Sequence, residues 1–206
     1  KNVYAVVAPA IAGQFGPNIT IGQVKDGLKK IGFKDMLEAA CGADAVTCHE
    51  AQEFVERMEK GDNYMTNSCC PAFVSFIEKK FPDQVGKISG TVSPMIASGR
   101  TVKQIHPDAT TVFIGPCVAK KAEARDKDIS DAIDHVLTFQ EMQDIFEFTD
   151  INPEACEESE KDHSSKVGRI YARTGGVSHA VKRTLEKINP NRKISIVTEQ
   201  ADGVPA

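Results

Sequence analysis

Short apolar runs that end at proline or glycine alternate with capped, amphipathic helices along all 206 residues of this chain, and that alternation restricts it to an α/β architecture with mainly parallel strands. Val3, Tyr4, Ala5, Val6, Val7 and Ala8 form one continuous apolar run closed by Pro9, the pattern of a strand buried on both faces of a parallel sheet. Thr20 with Gln23 makes a capping box, and Ile21, Val24, Leu28 and Ile31 recur on one face up to Gly32, so residues 21–31 are expected as helix. Thr47 and Glu50 repeat the capping signature ahead of Ala51, Phe54, Val55 and Met58, with Gly61 as the stop. That helix would carry Glu50 and Glu53 on one face. Phe73, Val74, Phe76, Ile77 and Phe81 predict a short helix after Cys70-Pro71 that ends before Pro82 and is well buried.

A second strand is expected over residues 111–114, broken by Gly115-Pro116, after which Cys117 opens a helical segment rich in Lys and Ala. Thr138 and Glu141 give a third capping box, with Met142, Ile145 and Phe146 as its apolar stripe. Residues 152–166 are acidic and aperiodic and read as a surface loop. Residues 168–172 read as a strand, Gly175-Gly176 as a tight turn, and Val177, Val181, Leu185 and Ile188 as a helix face. Residues 194–197 read as a last strand.

Charged residues make up 26 % and apolar residues 41 %, the balance of an ordinary globular protein. The net charge of −4 argues against a nucleic-acid backbone as partner. No apolar stretch reaches the length of a membrane span and the first residues do not read as a secretory signal, so a cytoplasmic address is expected. Lys1 stands two residues before a strand-like run and Ala206 lies in a Gly/Pro-containing loop, which suggests a piece of a longer polypeptide. Six cysteines in a chain this long and helical do not suit a disulfide-stapled secreted domain, and adjacent Cys69 and Cys70 fit disulfide geometry badly. Reduced thiols are the expected state.

The chemistry is concentrated at Cys69-Cys70, where the sequence predicts the end of a strand and the start of a helix with Pro71 in its first turn. Cys117 occupies the equivalent place after the second strand, and Pro9 after the first. In α/β folds these carboxyl ends are where function sits. Cys70 and Cys117 can offer two thiolates to one soft metal centre, zinc or an iron–sulfur cluster, but four ligands are normal. Cys41, Cys48, Cys156 and His49 form no tight CxxC pair with them, so buried structural cysteines stand as the alternative reading. Lys120 and Lys121 lie within a turn of Cys117, either as a cation beside the centre or as an exposed basic face. On spacing alone Glu50, Glu53 and Glu123 are ordinary solvated carboxylates.

The segments TNSCCPAF at 66–73 and FIGPCVAKKAEA at 113–124 resemble the first two signature motifs of the iron-iron (FeFe) hydrogenases, in the catalytic H-cluster domain of their large subunit. ARTGGVSHAVKRT at 172–184 is similar to the family's double-glycine segment, and Val6 to Ala10 to its opening strand and turn. The resemblance implies two lobes of mainly parallel sheet flanked by helices with the site in the cleft between them, lobe one being residues 1–70 plus 167–206 and lobe two 71–166. It implies that Cys69 is the unligated cysteine that exchanges a proton with the diiron subsite, and that Cys70 and Cys117 are two of four ligands of a 4Fe-4S subcluster. Lys120 would contact an iron-bound cyanide and Pro9 would pack on the diiron ligands. Glu123, Ser89, Glu53 and Glu50 match the relay from Cys69 to solvent.

The family's third motif, with the other two cluster cysteines, is absent, and Cys41, Cys48 and Cys156 do not match it. This chain alone is therefore expected to hold no complete H-cluster, to be metal-free and inactive, and to expose an apolar patch. Gly115 stands where many catalytic members have methionine, Met95 where many have glutamine, and Ala72-Phe73 where Gly-Trp is common. These changes resemble a subgroup thought to sense hydrogen, in which a smaller residue at 115 would alter the packing around the diiron unit. The expected function is reversible oxidation of dihydrogen or reduction of protons, with a ferredoxin-like electron carrier. The alternatives are a hydrogen sensor joined to a signalling module, or a non-hydrogenase iron–sulfur relative.

Overall fold

A computed structural model describes residues 2–188 and 196–197. Four strands, β1 (Val3–Val7), β2 (Asp35–Glu38), β3 (Thr110–Gly115) and β4 (His135–Thr138), form one parallel sheet in the order β2-β1-β3-β4. The chain leaves β1 to one side for β2 and to the other for β3. The crevice beyond the carboxyl ends of β1 and β3 is thus the switch point where α/β sheets place their sites. There the Ala8 amide donates to the Ile114 carbonyl at 2.9 Å, which ties Pro9 to the turn holding Gly115, Pro116 and Cys117. The sheet draws strands from both sides of the expected boundary near residue 70, β1 and β2 preceding it and β3 and β4 following it, with β3 paired to β1 along its length.

Helices α1 (Ile21–Lys30), α4 (Pro94–Ile105) and α6 (Phe139–Phe148) pack their apolar stripes on the sheet, with Leu28, Ile96, Met142 and Phe146 fully buried. Phe15 meets the rings of Phe139 and Phe146 edge-on at 5.9 and 5.4 Å. Both expected capping boxes at Thr20 and Thr138 are complete, each hydroxyl accepting from the third residue's amide and each Gln23 or Glu141 side chain answering at the cap amide.

The second helix departs from expectation. Helix α2 runs over Ala39–Glu59, so it begins eight residues before Thr47. The Ala-rich stretch after Glu38 contains no proline, its one glycine, Gly42, sits where a Cβ would collide with Ser98 Oγ of α4, and the Thr47 hydroxyl donates to the Ala43 carbonyl at 2.6 Å within the helix instead of capping it. Helix α3 (Pro71–Lys80) has Pro71 in its first turn and Cys70 at its cap, as expected, but none of its residues is buried. Phe76 is 51 % exposed and Phe81 47 %, because the described residues pack little on its apolar side beyond the turn of Pro82–Lys87 and the short helix α5 (Ala119–Glu123).

Residues 168–172 are not a strand. Ser165 caps a single helical turn, α7 (Lys166–Arg169), and a Cβ at Gly168 would strike the Ala40 carbonyl and Asp44 of α2. The double glycine then opens α8 (Gly176–Ile188) as expected. The acidic stretch 152–165 is largely irregular, with one short turn at Pro153–Ala155, and lies pinned on α1 and β2: Glu158 meets Thr20, the Glu157 backbone amide donates to Asp26 Oδ2 at 3.0 Å, and Asp162 pairs with Lys25 at 3.2 Å. Of the strand expected at 194–197, residues 194 and 195 lie outside the described residues, and Ile196 and Val197 form no strand. Strands β2 and β4 and helix α4 have no counterpart in the sequence reading.

Candidate functional site

Cys69 does not sit at the end of a strand. The segment before it makes only an isolated parallel bridge, Thr66 with Ile88, and the chain then passes in extended form into the cap of α3. This packs Cys69, half-buried, against a small apolar cluster of Ala43 of α2, Ala180 of α8 and Tyr171. Its thiol donates to Asn67 Oδ1 at 3.4 Å. Burial, followed by the negative charge of Glu50, pushes the thiol up to about 12 against the opposing pull of Lys120. Cys69 is therefore held as a protonated thiol at neutral pH.

Lys120 is only 9 % exposed, and its ammonium has two partners, the Cys69 carbonyl at 3.1 Å and Glu123 Oε2 at 2.6 Å. The basic helix face left open by the spacing argument is thereby excluded for Lys120. Its neighbour Lys121 turns outward to Glu141. Cys70 is exposed, its sulfur accepting the Phe73 amide at 3.4 Å, and Cys117 is half-buried at the carboxyl end of β3. All six cysteines are free. Among the described residues no group of three or more His, Cys, Asp or Glu side chains is placed to hold a metal ion. Cys70, exposed, and Cys117, half-buried, carry free thiols of the type that a soft metal centre takes, and would supply two of its ligands and no more.

Glu50 and Glu53, a turn apart on α2, are joined through hydroxyls from a distant loop. Ser89 Oγ donates to Glu53 Oε2 at 2.6 Å and lies 2.9 Å from Thr91 Oγ1, which reaches Glu50 Oε1 at 3.4 Å. Tyr171 donates its hydroxyl to the other oxygen, Glu50 Oε2, at 3.1 Å. Glu50 is 1 % exposed, and burial raises its carboxyl above the ordinary range in spite of the Tyr171 and Thr91 hydrogen bonds. Glu53 behaves oppositely. Burial pushes it up, but the bonds from Ser89, the Gly90 amide and Arg57 outweigh that and hold it below the usual value. Arg57 Nε lies 2.8 Å from Glu53 Oε1 at the partly exposed end of the row. Glu123, expected in the same row, instead pairs with Lys120.

Thr91 and Tyr171 were missed by sequence reading. A lone threonine and a lone tyrosine carry no spacing signal, and only folding brings Thr91 and Tyr171 to a carboxyl on α2. No space is left beside Gly115. A Cβ there would stand 2.7 Å from Cε1 of Phe113 and 3.0 Å from the Ala8 methyl, so the Phe113 ring covers the place of the missing side chain. Met95 is fully buried in the core. An open cavity of about 810 Å³ adjoins the row, lined in part by Glu50, Phe54, Asn67, Phe73 and Val181.

Residues 1–204 match the family described as iron only hydrogenase large subunit, C-terminal domain, and the chain belongs to that family. It is 29 % identical to iron hydrogenase 1 of Clostridium pasteurianum over 94 % of its own length and 38 % of the relative's. It is 26 % identical to protein NAR1 of Arabidopsis thaliana over 78 % of this chain and 42 % of that one. Among solved structures, an FeFe-hydrogenase from Chlamydomonas reinhardtii superposes with a TM-score of 0.74 at 29 % identity, covering 91 % of this chain and 53 % of the other. The chain thus spans less than half the length of these curated relatives and about half of the solved chain. No helix among the described residues is long and apolar enough to cross a membrane.

Proposed function

We propose that the protein to which this chain contributes makes or splits dihydrogen reversibly, with Cys69 as the residue that gives and takes the proton. The observation that carries this reading is a half-buried, protonated thiol next to a hydrogen-bonded row of unequal carboxyls. A general acid needs a proton at working pH and a route that renews it. Burial supplies the first, since it keeps the Cys69 thiol protonated. Glu50, Thr91, Ser89 and Glu53 supply the second. Two carboxyls whose environments push them apart divide the work: burial raises the proton affinity of Glu50 at the inner end, while the bonds from Ser89, the Gly90 amide and Arg57 lower that of Glu53 at the outer end.

The H-cluster, a 4Fe-4S subcluster joined to a diiron subsite with carbonyl and cyanide ligands, supplies hydrogen binding and electron transfer when bound. Cys70 and Cys117 would hold two ligand positions of the 4Fe-4S part. Lys120, fixed between the Cys69 carbonyl and Glu123, would offer its third proton to an anionic cyanide, and Pro9 would form part of the wall at the ends of β1 and β3. Glu123 in this reading positions Lys120 rather than carrying protons. The partners proposed are dihydrogen, protons and a ferredoxin-like electron carrier, and the proposed address is the cytoplasm.

The NAR1 relatives, several of them named cytosolic Fe-S cluster assembly factors, support a second reading in which the fold serves iron–sulfur assembly. Exchange between deuterium gas and water, measured on the longer, matured protein, separates the two. Cys69→Ala is expected to lower that exchange by roughly 10²-fold or more, the usual worth of a positioned acid. Wild-type exchange that survives the substitution unchanged contradicts the role given to Cys69, and no exchange in an iron-loaded wild type favours the assembly reading.

A further inference from the structure

Glu50 is the one buried carboxyl in the row, and its two oxygens have different neighbours. Oε1 faces Thr91 and, through Ser89, the outer carboxylate Glu53. Oε2 faces Tyr171, which is itself 8 % exposed and enclosed with Cys69, Ala43 and Ala180. Beyond Tyr171 the hydroxyls lead nowhere. Thr47 Oγ1 lies 3.4 Å from the Tyr171 hydroxyl and 2.6 Å from the Ala43 carbonyl, an acceptor inside α2 with no proton to exchange. One arm of Glu50 therefore leads out and the other is closed.

We propose that Tyr171 is a positioning residue that fixes the Glu50 carboxyl, holding Oε2 so that Oε1 is turned to the Thr91 arm. The phenol suits this task because it donates one hydrogen bond in a dry site and does not itself ionise there, burial and the Glu50 charge keeping it protonated. Its backbone is set by the neighbouring α7–α8 turn, where a Cβ at Gly176 would collide with the Ile170 and Tyr171 carbonyls, so the tyrosine enters at a fixed angle. The titratable groups that face Glu50 are Glu53 on its own helix, Cys69 from the segment before α3, and Tyr171; Lys120, from α5, acts on Cys69. The inference rests on the proton-transfer reading for its purpose, but the geometry it describes needs no metal.

The test is a carbon-13 NMR titration of the chain with glutamate labelled at its carboxyl carbon, Glu50 being assigned by the resonance lost in Glu50→Gln. Tyr171→Phe keeps the ring and removes one hydrogen bond to the carboxylate, a bond worth about 1.5–3 kcal/mol to a charged group. Glu50 should then bind its proton roughly tenfold or more tightly, with its midpoint moved to higher pH and circular dichroism unchanged. A merely structural tyrosine would leave the midpoint where it is, and that result overturns the proposal. If Tyr171→Phe fails to fold, the wild-type chain decides, since the labelled Tyr171 Cζ resonance must move with the Glu50 midpoint. A Cζ resonance indifferent to that midpoint refutes the hydrogen bond. Loss of hydrogen chemistry in the longer protein would leave this titration intact, so the two readings fail separately.

Discussion

Gly115 shows how a single residue reports on its surroundings. Its glycine is required by packing and not by backbone freedom, because the Phe113 ring and the Ala8 methyl already occupy the position of a side chain. Gly115→Met should therefore overpack the switch point between β1 and β3 and lower the stability of the chain by roughly 1–3 kcal/mol in urea unfolding. Phe113→Leu in the same chain should return part of that loss. A fully tolerated methionine would show that Phe113 does not fill the space. The identity of Gly115 was legible in the sequence as a departure from the family pattern, but its consequence was not. Smallness alone suggested only altered packing, and it is the neighbour two residues earlier on the same strand face, Phe113, that takes up the place of the missing side chain.

At the scale of elements, signals confined to a few neighbouring residues were legible and signals that depend on distant packing were not. The boxes at Thr20 and Thr138 form as their spacing dictates, since every atom in them lies within one turn. Thr138→Ala should cost about 1 kcal/mol, read as a lowered urea midpoint with unchanged slope, and no loss would mean that the cap adds nothing to α6. The same signature at Thr47 and Glu50 misled, because an N-cap requires non-helical backbone and the Ala-rich stretch from Ala39 continues the helix through it. Burial of α3 failed for another reason. Its apolar face is real, but what covers such a face is a tertiary fact, and among the described residues little does. Strand β2, four residues with an acid at either end, carries too little pattern to be seen.

In the whole molecule, one parallel sheet brings Pro9 and Cys117 to a common edge, while α2 carries Glu50 and Glu53 toward Cys69 and the loop holding Ser89 and Thr91. The proposed site is written in motifs, since TNSCCPAF and FIGPCVAKKAEA contain Cys69, Cys70, Cys117 and Lys120. The row behind Cys69 was legible only in part: Ser89, Glu50 and Glu53 were expected there, Thr91 and Tyr171 were not, and Glu123 pairs with Lys120 instead. Side chains from three separate stretches, α2, the loop of residues 89–91 and Tyr171, meet at that row, and no local pattern encodes their meeting. The account turns on the claim that this fold serves an H-cluster. The most direct measurement is the infrared spectrum of the longer protein, matured anaerobically, for carbonyl and cyanide stretches bound to iron. The account predicts such bands, shifting under hydrogen gas. A protein that binds iron and sulfide yet shows no such bands would contradict it.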